Sequence, residues 1–232
     1  KPNLAFYEAL GLTGLKALEQ SLEYIRQQCP QTLIIGDAKR GDIGPSGEAY
    51  ARAMFQIWGF DAVTVSPWGG RDTVEPFSAD NSKGVFIWCR GSNPGSADLQ
   101  DLIIRPASTS AGNSSKEAPV YQYLAEAAQA WNVNDNIGLV AGATVPQQLS
   151  EVRRICPNMP MLIPGVGAQG GDLEEAVRCS IDQRGRRALI NSSRGIIYAS
   201  TAPDFAQAAR KEAASLRDDI NQILESEGKG WH

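Results

Sequence analysis

The sequence predicts an α/β fold built on parallel strands. Six short apolar runs, beginning near residues 33, 61, 85, 137, 161 and 188, are each followed by a segment of helical periodicity. Such runs, apolar throughout, suit strands covered on both faces, as strands in parallel sheets are. Strict alternation of the two element types implies right-handed β-α-β crossovers. A closed barrel of this kind needs eight strands. Six strands are therefore compatible with an open doubly wound sheet, or with a barrel whose first two strands lie before Lys1.

Each element has its own signal. Asn3 is placed to cap the first helical segment, and Leu10, Leu15, Leu18, Leu22 and Ile25 recur at a helical period between Phe6 and Gln28, with an interruption expected at Gly11–Gly14. Cys29-Pro30 ends that helix. Leu33-Ile34-Ile35 opens a strand over 33–37, and a helix from Pro45 to about 58 offers Tyr50, Met54, Phe55 and Ile57 for packing. Residues 61–66 form the next strand, and Arg71 to Phe77 is helical. Residues 85–89 form a strand that empties into the turn-rich segment Arg90 to Gly95. Pro106 to Glu117, rich in Ser, Thr, Ala and Gly, reads as an exposed mobile loop. Strand–helix alternation resumes unchanged after it, so it marks no domain boundary, and residues 1–232 are read as a single domain. A helix over 118–130 with Tyr121 and Leu124 inward follows, then a strand at 137–141 and a helix at 146–155. A strand at 161–163 opens into Pro164 to Asp172, a helix starts at Asp172, and the last strand runs 188–190. A long helix over 203–226 closes the chain.

Composition excludes several functions. Of 232 residues, 42% are hydrophobic and 21% charged, which describes an ordinary globule with enough apolar mass for a core. A net charge of -4 argues against a general binder of nucleic acid or of anionic membranes. No apolar run approaches the roughly 20 residues that cross a bilayer, and Lys1-Pro2-Asn3 does not look like a signal peptide. Cys29, Cys89, Cys156 and Cys179 lie far apart, fitting neither a zinc site nor a disulfide framework, so a reducing cytoplasm is the expected compartment. The one histidine is His232, the last residue. Ser-His-Asp triads, Cys-His pairs and histidine-ligated zinc are thereby set aside, and acid–base chemistry falls to Asp, Glu, Lys, Tyr or Cys.

The loops after the strands carry that chemistry. Asp37-Ala38-Lys39-Arg40-Gly41-Asp42-Ile43-Gly44 follows the first apolar run. Side chains alternate along a strand, so Asp37 and Lys39 leave on one face and Ala38 on the other, with Asp42 in the loop beyond. Two acids and a base then converge at the carboxyl end of a parallel strand, where α/β folds keep their active sites. Taken alone, Asp-x-Lys also serves as an ordinary ion pair. Gly165 to Gly171 is glycine-dense and stands before a helix, where backbone N–H groups and the helix N-terminus suit a phosphate. Arg194, on the loop after the following strand, offers a planar fork to phosphate oxygens. Ser92-Asn93 offers a hydroxyl and an amide suited to the edge of a polar ring, or simply to a capped Pro-Gly turn.

Asp37-Ala38-Lys39-Arg40-Gly41-Asp42-Ile43 resembles the D-x-K-x-x-D-I signature of the orotidine 5′-phosphate decarboxylases. Lys1 to Glu8, Ser92-Asn93-Pro94-Gly95, Pro164 to Gly171 and Ser193-Arg194-Gly195 resemble the remaining blocks of that family, in the right order, and most of all its longer bacterial subgroup. The similarity runs from Lys1 to the final helix. It implies a (β/α)8 TIM barrel whose first strand, first helix and most of the second strand are absent from this sequence. It also implies a homodimer without metal or cofactor that converts orotidine 5′-phosphate to UMP and CO2 in pyrimidine biosynthesis. By that resemblance Lys1, Asp37, Lys39 and Asp42 form an alternating charged array, with Asp42 donated across the dimer interface. Ser46, also from the second copy, touches the ribose region; Ser92 binds the pyrimidine edge; Gln169 and Arg194 hold the phosphate; Pro164 packs near the base. Gly91 departs from the subgroup, which carries Thr there, and is expected to loosen the loop around Ser92.

Two other functions fit parts of the pattern. A Mg2+-dependent barrel acting on sugar phosphates, such as a keto-gulonate phosphate decarboxylase, shares the D-x-K-x-x-D core, although Ile43 and the Gln169 loop favour the nucleotide enzyme. The non-enzymatic alternative is a truncated barrel that binds nucleotide without turnover.

Overall fold

The computed structural model describes residues 1–105, 117–167 and 169–231. They form two compact units, Lys1–Trp88 with Trp131–Gly138, and Cys89–Ala130 with Leu139–His232. Of the predicted loop at 106–117, only Glu117 lies among the described residues, and Ala168 and His232 also lie outside them.

In the first unit Asn3 caps α1 (Leu4–Glu8), its side-chain oxygen accepting the Ala5 amide at 3.1 Å. The chain breaks at Ala9–Leu10 and re-enters α2 (Gly11–Gln28) through Gly11, whose φ of 59° is left-handed. The expected interruption is therefore real but lies earlier, and Gly14 sits buried inside α2. Leu18 and Leu22, one turn apart, are fully buried. Strand β1 (Ile35–Arg40) starts two residues later than the apolar run predicts and extends through the charged motif. Leu33 is 76% exposed, outside the strand.

Gly44 has φ 54°, and α3 (Gly44–Arg52) carries Pro45 in its first turn. It then widens into a π-helical turn, Ala53–Ile57, a feature that the apolar period does not encode. Met54 is buried there, while Ile57 stays exposed. Tyr50 lies beneath the Arg40 guanidinium, 5.4 Å from ring centroid to carbon. Strand β2 (Ala62–Val65) pairs in parallel with β1 and with β3 (Gly84–Arg90). A 3-10 turn at Arg71–Thr73 and the short α4 (Glu75–Ser78) stand where the sequence predicts one helix. Phe60 and Phe77 are fully buried.

In the second unit α5 (Ala97–Gln100) leads to β4 (Ile103–Ile104), which pairs antiparallel with β5 (Ala118–Pro119). Two residues per strand are too few for an alternating pattern, so this pair has no sequence signature. Then come α6 (Val120–Trp131), with Tyr121, Ala125, Ala127 and Ala128 buried, β6 (Ile137–Ala141) and α7 (Pro146–Ile155). Strand β7 (Met161–Pro164) is parallel to β6, with Leu139 opposite Met161. After α8 (Leu173–Ser180), strand β8 (Ala188–Asn191) pairs in parallel with β7. A short α9 (Arg194–Ile197) precedes α10 (Phe205–Ser226). Leu224 of α10 packs with Val177 and Ile181 in a cluster joined by Ile190, Ile220 and Ile223. No helix of the described residues is long and apolar enough to cross a membrane.

Arg153 is buried in this unit, and its guanidinium donates to five backbone carbonyls: Ser180 at 2.7 Å, Cys156 at 3.0 Å, Pro157 at 3.2 Å, Met159 at 2.8 Å and Arg187 at 3.0 Å. One side chain thus satisfies the carbonyls at the ends of α7 and α8 and of the loop entering β8. Burial pulls its pKa down to about 10 against the opposing pull of Asp182.

Candidate active site

The charged cluster of the first unit is made by an irregularity in β1. Gly36 pairs with Val63 and Arg40 with Val65, so Asp37, Ala38 and Lys39 together face the single residue Thr64. Such a bulge bends the strand and re-aims side chains. Plain alternation is suspended across it, and Lys39 adopts φ 47°, a left-handed value uncommon for a residue with a side chain. The bulge nevertheless brings the predicted pair together: Lys39 Nζ donates to Asp37 Oδ1 at 2.6 Å.

Lys1 arrives from the other side. The Asp37 amide donates to the Pro2 carbonyl at 2.9 Å, and Asn3 bridges Asp37 in parallel, which lays the first residues beside β1. Lys1 Nζ then reaches Asp37 Oδ2 at 3.2 Å. The Thr64 hydroxyl donates to Asp37 Oδ1 at 2.9 Å and accepts the Lys39 amide at 3.0 Å. Burial by itself would raise the Asp37 pKa, but the charge of Lys1, the hydrogen bond and charge of Lys39, and the Thr64 hydroxyl outweigh it, so the carboxyl sits below the usual range. Asp37 is an anion held between two cations, and Lys39 keeps 43% of its side chain open to solvent.

Asp42 and Ser46 are exposed. Asp42 Oδ1 accepts the Ile43 amide at 2.8 Å, and Ser46 stands in the first turn of α3. Within this chain neither is bonded to Asp37 or Lys39.

In the second unit, Ser92 and Gln169 meet: the Ser92 hydroxyl donates to Gln169 Oε1 at 2.6 Å. Gly142 and Gly165 permit this approach. A Cβ at Gly142 would stand 2.6 Å from Ser92 Cα, and one at Gly165 would stand 2.9 Å from Ser92 Cβ and 3.1 Å from Gln169 Oε1. Thr144 Oγ1 donates to the Ser92 carbonyl at 2.7 Å. Pro164 ends β7, its carbonyl accepting the Ala143 amide at 2.8 Å. Arg194 opens α9 on the exposed surface.

The Ser92 loop is not loosened by Gly91. Arg90, only 3% exposed, donates to both carboxylate oxygens of Asp101 at 3.0 and 2.8 Å, to the Gly91 carbonyl at 3.0 Å and to the Ser96 hydroxyl. The Gly91 amide donates to Gln100 Oε1 at 2.8 Å. A Cβ at Gly91 would lie 2.8 Å from Asn93 Oδ1 and 2.9 Å from Ser96 Cβ, so these two side chains fill the space that the larger residue would need.

The glycine-dense loop folds on itself. Gly165, Gly167 and Gly170 have φ of 103°, 70° and 89°, and the Gly171 amide donates to the Gly165 carbonyl at 3.0 Å. The N-terminus of α8, expected to aid a phosphate, is instead taken by Asp172, whose Oδ1 accepts the Glu175 amide at 2.8 Å. Glu174 and Glu175 add negative charge in the first turn, which works against an anion there.

Thr64, Arg90, Gly142 and Thr144 escape the sequence reading. Threonine is at home in any strand, and a buried arginine at a strand end reads like an exposed one. Among the described residues, no three of His, Cys, Asp or Glu are grouped so as to hold a metal ion.

Comparison with known proteins identifies the lineage. The family model described as Orotidine 5′-phosphate decarboxylase / HUMPS family matches residues 1–211. An orotidine 5′-phosphate decarboxylase of Roseiflexus castenholzii is 48% identical over 225 residues, covering 97% of this chain and 78% of the relative. Among solved structures, Leishmania donovani OMP decarboxylase aligns with a TM-score of 0.79 at 37% identity, over 96% of this chain and 79% of that one. Leishmania donovani UMP synthase aligns with a TM-score of 0.80 at 38% identity, over 96% of this chain but only 45% of that longer one. The fold class is α/β of the TIM-barrel type. A match of this extent means that the chain belongs to the orotidine 5′-phosphate decarboxylase family.

Proposed function

We propose that the chain converts orotidine 5′-phosphate to UMP and CO2 without a metal, with Lys39 as proton donor, and that residues 1–232 act as one catalytic domain. The observation that carries the mechanism is the Asp37 carboxylate bound at 2.6 Å by Lys39 and at 3.2 Å by Lys1.

Cleavage of the bond between C6 and the carboxylate leaves its electron pair on C6, in an orbital that the ring π system does not delocalise. A fixed ammonium next to C6 stabilises that charge as it develops. Asp37 holds the Lys39 side chain in place by their ion pair until then. The Lys39 N–H bond next breaks, a C6–H bond forms, and the neutral amine takes its proton back from water. Asp37 stands near the departing carboxylate in this reading. Ser92 reads the pyrimidine edge, Pro164 packs near the base, and Gln169 with Arg194 grips the phosphate. That remote binding energy serves to order the loops around the reacting carbon. Asp42 and Ser46, exposed in this chain, complete the site of a second copy in a homodimer.

Turnover of orotidine 5′-phosphate in excess EDTA, followed spectrophotometrically, tests the assignment. Lys39→Ala is expected to lose nearly all turnover while still binding UMP. Unchanged turnover in that variant removes the proton donor, and activity abolished by EDTA replaces the metal-free mechanism with the Mg2+-dependent one.

A further inference from the structure

We propose that Thr64 is a positioning residue, whose single hydroxyl holds Asp37 and Lys39 in their reacting arrangement. This rests on the reading of Lys39 as proton donor and adds to it the device that sets its geometry.

Thr64 is the one residue of β2 opposite the three-residue bulge of β1, and it is 2% exposed. Where the parallel ladder is interrupted, the Lys39 amide donates to Thr64 Oγ1 at 3.0 Å. This part-buried bond gives the amide an acceptor and accompanies the left-handed φ of 47° that aims the Lys39 side chain. The same hydroxyl, with its proton, donates to Asp37 Oδ1 at 2.9 Å, the oxygen that also takes Lys39 Nζ at 2.6 Å. Both capacities of a hydroxyl are used, one as acceptor and one as donor. Valine has the same shape and fills the same space, but it supplies neither bond. The charged groups facing Asp37 are Lys1 from the chain's first residues and Lys39 from β1, while β2 contributes only this uncharged hydroxyl.

The test compares Thr64→Val, Thr64→Ser and Lys39→Ala in the intact protein. For Thr64→Val, kcat is expected to fall about 100-fold, the penalty of a misplaced catalytic group, with KM for orotidine 5′-phosphate unchanged. The acid limb of kcat/KM should move to higher pH, because Asp37 loses a donor to its anionic form. Thr64→Ser keeps the hydroxyl and should restore both the rate and the limb. Wild-type kcat and an unmoved limb in Thr64→Val, with Lys39→Ala inactive, would overturn the positioning role alone. An active Lys39→Ala would overturn the underlying mechanism instead. Equal loss in Thr64→Val and Thr64→Ser with an unmoved limb would leave a packing role only and also overturn the proposal. If Thr64→Val does not fold, the Lys39 amide in the wild-type protein decides: slow hydrogen exchange is expected, and exchange at the open-chain rate would refute the bond.

Discussion

Ser92 and Gln169, 77 residues apart in sequence, are joined by a single hydrogen bond of 2.6 Å, with the serine hydroxyl donating to the amide oxygen. In the proposed mechanism one residue reads the base and the other the phosphate, so this bond links the two ends of the substrate. Separate Ser92→Ala and Gln169→Ala variants are each expected to raise KM roughly tenfold, equivalent to about 1.4 kcal/mol. The double variant should lose about 1 kcal/mol less than the sum, since one shared bond is removed twice. Strict additivity in steady-state kinetics would show that the two side chains act independently.

Gly142 lies directly behind Ser92, and its substitution tests the same loop through sterics. A methyl group there would stand 2.6 Å from Ser92 Cα and 2.8 Å from Ser92 N, and both are backbone atoms that cannot swing aside. Gly142→Ala is expected to cost about 1–3 kcal/mol of stability and to weaken UMP binding beyond that of any comparable surface change. Calorimetric titration with UMP checks it, and wild-type affinity would mean that the Ser92 loop does not contact the nucleotide.

Asp37 makes stability depend on pH in a defined direction. Its folded pKa is held below the unfolded value by Lys1, Lys39 and Thr64, against the raising effect of burial. A depressed carboxyl contributes its full stability above the unfolded pKa of about 3.9, and that contribution is lost as pH falls through the lower folded value. Asp37→Asn should therefore be less stable than the wild type at pH 7, by about 1 kcal/mol given the solvent around Lys39. The gap should close as pH falls below about 4. Urea midpoints at the two pH values measure it, and a gap that widens on acidification would reverse the sign.

Much of this was legible because strand and loop signals are local. The β-α alternation, the Asn3 cap and the loops bearing Lys39, Ser92 and Gln169 each arise from residues adjacent in sequence. The bulge was not legible. An Asp-x-Lys in a regular strand and one in a three-residue bulge have the same letters, and the difference lies in the pairing of Gly36 and Arg40 with a second strand. The α8 N-terminus shows the reverse case: the glycine-dense loop before it points to a phosphate, whereas Asp172 caps the helix with its own side chain. Thr64 and Gly142 act through partners distant in sequence, so no local pattern could mark them, and Arg90 differs from an exposed arginine only by its burial.

Arg153 gives the sharpest stability prediction, because it holds structure without a charged partner at hydrogen-bond distance. Its guanidinium serves five carbonyls, from Cys156, Pro157, Met159, Ser180 and Arg187. Methionine keeps the apolar stem but leaves those carbonyls without the donor, so Arg153→Met is expected to cost about 3 kcal/mol. Lysine retains the positive charge, but its three N–H donors radiate from one point and cannot span carbonyls reached by a planar fork. Arg153→Lys should accordingly recover little of the loss. Activity per folded molecule should stay at the wild-type level in both, since Arg153 touches none of the residues assigned to substrate. Denaturant midpoints paired with active-site titration separate the two effects, and a lysine variant as stable as the wild type would show that charge, and not the fork, is what the carbonyls require.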